Sequence, residues 1–136
     1  MAKPYQVAAV PIRRTHAGSL EVLLVTSRET RRWVVPKGWP WRKVKDHDAA
    51  AGEAWEEAGV RGRTLPKSIG SFTYDKRRKN KLFVLNVLVY VLEVTEEAAI
   101  WPEAHQRQRN WFAPTTAADL VSEPELRQLL LNLDAG

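Results

Sequence analysis

Three carboxylates, Glu53, Glu56 and Glu57, stand three and four positions apart in this chain. At ~100° per residue a helix places them on one face. Like charges so placed repel one another. A divalent cation relieves that repulsion, and hard cations such as Mg²⁺ take oxygen ligands. An acidic pair on a helix is ordinarily solvated surface, so the neighbouring residues decide its meaning. A short apolar run, Trp33-Val34-Val35, stops at Pro36 and is followed by Lys37, Gly38 and a loop carrying Arg42, Lys43 and Lys45. Gly38 permits unusual backbone angles and leaves its carbonyl accessible. Carboxylates for metal beside Lys and Arg for phosphate are the residue types that metal-assisted phosphoryl chemistry requires.

The elements that must position these groups are legible around them. The acidic segment is predicted to be a helix that starts near Asp46 or Asp48, either of which could serve as N-cap, and ends at Gly59, a C-cap glycine. Ala51, Ala54, Trp55 and Ala58 occupy the roughly opposite arc and can pack on a sheet. Upstream, the apolar runs 7–12 and 21–26 read as strands joined by a polar, Gly-containing turn. Downstream, residues 68–75 read as a strand, and 82–94 give the clearest strand signal, dense in β-branched and aromatic residues. The near-continuous apolarity of 82–94 predicts burial on both faces. Residues 108–112 read as another strand, and 117–121 and 124–133 as helices. The last helix carries Leu126, Leu129, Leu130 and Leu133 as a core-facing stripe. The order implies an α/β protein, a mixed β-sheet packed between helices. Its 136 residues are one domain's worth, taken as 1–136.

Composition removes several classes of chemistry. With no cysteine, the chain has no disulfide, thiolate zinc site, iron–sulfur cluster or cysteine nucleophile. No apolar run reaches the ~18 residues of a membrane span, and Met1-Ala2-Lys3-Pro4-Tyr5 has no apolar signal core. A cytoplasmic protein without membrane contact is therefore expected. The net charge of +5, from 21 Lys and Arg against 16 Asp and Glu, favours an anionic partner. Nucleic-acid binding would fit the charge. However, base-stacking aromatics interleaved with Lys and Arg along strands are not evident. A phosphorylated small molecule is the first expectation and an RNA 5′ end, as a substrate for hydrolysis, the second.

Residues 38–60 resemble the Nudix box, the signature of the Nudix hydrolases: Gly, five residues, Glu, seven residues, Arg-Glu, an apolar residue, any residue, Glu-Glu, any residue, Gly, an apolar residue. Gly38 matches its opening, and Glu53, Ala54, Glu56, Glu57, Gly59 and Val60 match its second half in register. Val44 and Gly52 stand where the box has Glu and Arg. Similarity continues outside the box. Trp33-Val34-Val35-Pro36-Lys37-Gly38, the basic Lys76-Arg77-Arg78-Lys79 turn and Arg107-Gln108-Arg109-Asn110-Trp111-Phe112 look like the diphosphoinositol polyphosphate phosphohydrolase branch. The resemblance implies the Nudix α/β/α sandwich. It also implies hydrolysis, dependent on Mg²⁺ or Mn²⁺, of a pyrophosphate linkage. The substrate would be a dinucleoside polyphosphate, an inositol pyrophosphate or another nucleoside diphosphate derivative. A catalytically impaired Nudix-fold protein that binds a phosphorylated ligand is the alternative that Gly52 and Val44 raise. If the missing arginine matters, Gly52→Arg should raise activity.

These readings set the expectations for the site. Gly38, through its carbonyl, and Glu53, Glu56 and Glu57 should hold the metal. Glu53, Glu57 or Glu103 should serve the reaction, one of them as general base. Arg28, Arg32, Lys37, Arg42 and Lys43 should bind phosphate, Arg by bidentate contacts and Lys as a point charge. Lys76 to Lys79 read first as a charged turn that a highly anionic substrate could recruit. The three histidines, 16, 47 and 105, do not cluster and are assigned no metal role. Trp55 is expected in the core. Trp39 and Trp41 stand in the loop beside the proposed site, to stack on a base or fill a gap under the loop.

Overall fold

A computed structural model describes residues 4–133. The first three residues of the Met1–Tyr5 opening, and the two ends of the 1–136 span, lie outside the described residues. The elements run β1 (Tyr5–Arg14), β2 (Leu20–Thr26), β3 (Trp33–Val34), β4 (Lys37–Gly38), α1 (Asp46–Ala58), β5 (Val60–Thr64), β6 (Gly70–Arg78), β7 (Lys81–Glu97), β8 (Arg109–Phe112), α2 (Pro114–Leu120) and α3 (Pro124–Leu131).

The strands form one mixed sheet with the path β3-β2-β1-β7-β5; β4 pairs with β1, β6 with β7 and β8 with β2. Among the described residues only β1 and β7 run parallel, with Val7 opposite Leu88 and Val10 opposite Val91. The apolar runs of β1 and β2 are continuous because both faces are covered. Val7, Ala9, Leu23 and Val25 meet Ala49, Ala50, Ala54 and Ala58 of α1. Ala8, Val10, Val22 and Leu24 face Ala117 and Ala118 of α2 and Leu126 and Leu130 of α3. The period-two alternation of a strand thus sorts successive residues into two cores, and the expected helix–sheet–helix sandwich is observed. Alanines on the buried face of α1 let it lie close against β1 and β2.

Three local expectations are corrected. The first concerns the start of α1. Its N-cap is Lys45 and no side chain caps it. Asp46 instead accepts the Tyr5 hydroxyl at 2.9 and 3.1 Å, which ties the helix start to β1. Asp46 and Asp48 still occupy the first turn, where the helix dipole favours negative charge. The second is Trp55, which is half-buried and carries the Arg61 guanidinium 3.6 Å above its ring. The third is β7, which is not buried on both faces throughout. Leu82, Phe83 and Val84 are exposed because this end of β7 pairs only with β6. There it forms a hairpin closed by Lys79 and Asn80, both with positive φ, the geometry of a type I′ turn.

The end of α1 follows the sequence closely. Gly59 adopts φ 69° and ψ 31°, and its N–H donates to the Trp55 carbonyl. Beyond it the segment 98–109 supplies donors to the helix's last carbonyls. Trp101 Nε1 donates to Glu57 O at 3.0 Å, the Glu103 N–H to Glu56 O at 3.1 Å, and Arg109 Nη1 to Ala58 O at 2.8 Å. These bonds satisfy carbonyls left orphaned at a helix C-terminus. They also carry Glu103 and Arg107 toward the acidic face of α1.

Candidate active site

The centre of the site is a turn stitched to the sheet. β4 pairs with β1 through Val7 opposite Gly38 and Ala8 opposite Lys37. The Ala9 N–H donates to Pro36 O at 3.0 Å. Gly38 is thereby pressed against α1. A Cβ at this position would lie 2.5 Å from Glu53 Cδ and from Glu53 Oε2, so any other residue would displace the Glu53 carboxylate. Beside it the Lys37 N–H reaches Glu57 Oε1 at 3.4 Å, a long contact. The chain places Gly38, Glu53 and Glu57 together as the sequence predicts.

Glu57 is 8% exposed. Desolvation pushes its carboxyl up to about 8. The Arg107 guanidinium opposes that rise, Glu53 reinforces it, Lys37 opposes it, and Glu103 adds to it. The Glu53 carboxyl is also raised, first by desolvation. Hydrogen bonds from Trp41 and with Glu57 counter this, while the charges of Glu103 and Glu56 add to it. Glu103 is thus electrostatically coupled to both. Its Oε1 accepts Arg107 Nε at 2.7 Å, and Arg107 Nη2 stands 3.8 Å from Glu57 Oε2. Arg107 Nη1 also donates to Thr26 O at 3.1 Å, so a guanidinium whose side chain is only 8% exposed joins β2, α1 and the 98–109 segment. Glu56 is more open. Among the described residues, no group of three His, Asp or Glu side chains is close enough to hold an ion, so the expected convergence of all three helix carboxylates is not seen in this arrangement.

A cleft of about 490 Å³ opens from Glu57. Of the five predicted phosphate binders, Arg28, Arg32 and Lys37 line it. Arg42 and Lys43 do not; they are exposed on the loop between Gly38 and α1. Arg32 is tied to Glu123 at 3.1 Å and Arg28 to Gln106 Oε1 at 3.3 Å. The Lys37 ammonium lies 4.7 Å from the Tyr74 ring centroid. Burial lowers its proton affinity, with Glu57 and Glu123 pulling the other way. Lys76, Arg77 and Arg107 add positive charge to the walls, beside Tyr74, Gln6 and the acidic Glu29 and Asp75. The basic run 76–79 was the signal for the first two. For Arg107 the signal was its place in the Arg107–Phe112 segment of the family resemblance. Nothing local marked Gln6, whose Oε1 accepts the Tyr74 hydroxyl at 2.6 Å.

The loop after Gly38 holds one further feature. Trp41 Nε1 donates to Glu53 Oε2 at 2.9 Å. Its ring lies against Gly52, where an added Cβ would overlap Cη2 and Cζ2. Position 52 is therefore not an empty slot awaiting an arginine. An arginine at position 52 would have to displace the indole, so Gly52→Arg brings its cation only by moving Trp41.

A family model, the NUDIX domain, matches residues 3–133. The chain is 40% identical over 121 residues to diphosphoinositol polyphosphate phosphohydrolase 3-beta of Bos taurus, covering 85% of this chain and 70% of that protein. It is 32% identical over 127 residues to the chloroplastic Nudix hydrolase 21 of Arabidopsis thaliana, covering 91% of this chain. The chain spans only 63% of that plant protein's length and 60% of that of a second, Nudix hydrolase 4. Among solved structures, a C. elegans Ap4A hydrolase binary complex superposes with a TM-score of 0.71 at 21% identity, over 98% of this chain and 96% of that one. The domain of Shewanella oneidensis NrtR complexed with ADP ribose superposes at 0.68 and 15% identity, over 97% and 88%. At these identities the likeness is one of fold.

Proposed function

The chain belongs to the Nudix family, and from that premise we propose that it is a metal-dependent hydrolase of a pyrophosphate linkage in a phosphorylated small molecule. The observation that carries this reading is the buried Glu57, with the half-buried Glu53 one turn before it on α1, in a cleft that Arg28, Arg32, Lys37, Lys76, Arg77 and Arg107 also line. Desolvation raises both carboxyls, and a bound cation would favour their ionised forms. The donors are all oxygen and Gly38 lacks the Cβ that would close the space, so the residues fit Mg²⁺ or Mn²⁺. Glu53, Glu57 and the Gly38 carbonyl would hold it. The bound ion supplies neutralising charge for the phosphate oxygens and a more acidic water.

The other steps belong to the chain's own groups. Lys37 and the cleft arginines bind the anionic phosphates and orient the linkage. Arg107 fixes the Glu103 carboxylate, which accepts a proton as water attacks phosphorus and the anhydride P–O bond breaks toward the leaving phosphate. The names of the relatives point to candidate substrates: diphosphoinositol polyphosphates, Ap4A and ADP-ribose. Assaying these three with Mg²⁺, with Mn²⁺ and with EDTA tests the reading. Metal-dependent turnover of at least one is expected; no turnover of any overturns it.

Lys37 should contribute to binding more than to the chemical step. Lys37→Gln removes a charge-assisted contact worth ~1.5–3 kcal/mol. Steady-state kinetics on the best substrate should show KM raised by roughly 10- to 100-fold, with kcat changed far less.

A further inference from the structure

We propose that Trp41 is a positioning residue, whose indole N–H holds the Glu53 carboxylate in space that exists only because residue 52 is glycine. Trp41 is 41% exposed, and two contacts fix its place. Its Nε1 donates to Glu53 Oε2 at 2.9 Å, and its six-membered ring lies on the bare backbone of Gly52. The turn that presents it is closed by the Val44 N–H on Trp41 O at 3.1 Å, with Lys43 at φ 61°.

Glycine in a helix interior costs ~0.5–1 kcal/mol relative to alanine. Here that cost has a structural return. One turn of α1 is thinned so that an aromatic ring can cross it and reach the next carboxylate. The N–H fixes Oε2 from the loop side, while the same carboxyl group faces Gly38 on the other. Donors held by an outer shell orient a ligating carboxylate, and their loss commonly weakens metal binding or activity by ~10–100-fold. A tryptophan N–H from the loop thus does by hydrogen bonding what a cation on the helix could do by charge. The two cannot share the space.

This inference rests on the metal reading above, and its test separates the two. Mn²⁺ alone is titrated by calorimetry into the wild-type protein and into Trp41→Phe, Gly52→Ala, Gly52→Arg and Trp41→Ala/Gly52→Arg. Urea unfolding midpoints, kcat and KM are measured on each. Trp41→Phe keeps a ring and loses the donor. Its Mn²⁺ dissociation constant should rise by about tenfold or more, with kcat reduced and KM and the urea midpoint held. Gly52→Ala should show the same losses by evicting the ring. Gly52→Arg should be worse, and Trp41→Ala/Gly52→Arg should recover part of what Gly52→Arg loses. Wild-type Mn²⁺ affinity and kcat in Trp41→Phe or in Gly52→Ala would overturn the proposal while leaving the metal reading intact. A double variant no better than Gly52→Arg would overturn the shared-space claim. Wild-type protein that takes up no Mn²⁺ would overturn the metal reading and this inference with it.

Discussion

Glu57→Gln is expected to reduce kcat by at least ~100-fold while stabilising the metal-free protein at alkaline pH. Both effects follow from the same burial. The Glu57 side chain sits between Lys37, Glu53 and Arg107, with its carboxyl pushed up to about 8 by desolvation. Glutamine keeps the shape and cannot supply the negative charge that the proposed ion requires. The stability effect has a definite sign. Below the ordinary carboxylate value of 4.5, Glu57 is protonated whether the chain is folded or not. Between 4.5 and about 8 the unfolded chain releases the proton and the folded chain keeps it. The native state then binds more protons, so stability falls as pH rises through this window and levels off above it. Glutamine does not titrate. Thermal melts in EDTA should therefore show the variant gaining on wild type from pH 5 to pH 8. Equal melting temperatures across that range, or turnover close to wild type, would contradict this account of Glu57.

Arg107→Met should be the most destabilising single change near the site. Arg107 meets Glu103 at 2.7 Å, Thr26 O at 3.1 Å and Glu57 at 3.8 Å, with its side chain 8% exposed. Methionine retains much of the apolar stem. It leaves a buried carboxyl, a second carboxylate and a main-chain carbonyl without their cation. Removing one partner from a buried ionic network costs about 3–5 kcal/mol. Urea unfolding should register that loss, and Arg107→Lys should recover only part of it, because an ammonium cannot span the same three acceptors. A loss below ~1 kcal/mol would show that the surrounding groups are solvated well enough without it.

Much of this was legible in the sequence wherever the cause was local. The strands β1 and β2, the acidic face of α1 and the Gly59 cap follow from periodicity and from one residue's conformational freedom. The leucine stripe behaved likewise: Leu126 and Leu130 are buried, and Leu129 and Leu133 pack at the edge of the same core. What depended on a distant partner was not legible. The apolar start of β7 predicts burial, yet only β6 accompanies it there, and sequence pattern does not count layers. Asp46 has the chemistry of an N-cap, but Tyr5, 41 residues away, takes its carboxylate. The five-residue β5 was missed because Val60, Arg61, Gly62, Arg63 and Thr64 show almost no apolar alternation; pairing with β7 makes it a strand.

The candidate site divides along the same line. Gly38, Glu53 and Glu57 stand at fixed spacing in one motif and meet as expected. Arg42 and Lys43 are close in sequence but sit on the wrong side of a loop whose path is set by the Trp41 turn. Arg107 reaches Glu57 only because Trp101, Glu103 and Arg109 suspend their segment from the last carbonyls of α1. Gly52 looked like a loss when read alone. It makes sense only with the ring that fills it.

The most direct measurement is the anomalous diffraction of Mn²⁺ in crystals of the wild-type protein. The account predicts a peak within coordination distance of the Glu53 and Glu57 carboxylates and the Gly38 carbonyl, at ~2.0–2.2 Å, the range of a small hard cation bound by oxygen. The same peak should vanish in Glu57→Gln. Manganese bound elsewhere on the chain, or a peak at this site unaffected by Glu57→Gln, would contradict the claim that the Glu53 and Glu57 carboxylates of α1 are the metal centre.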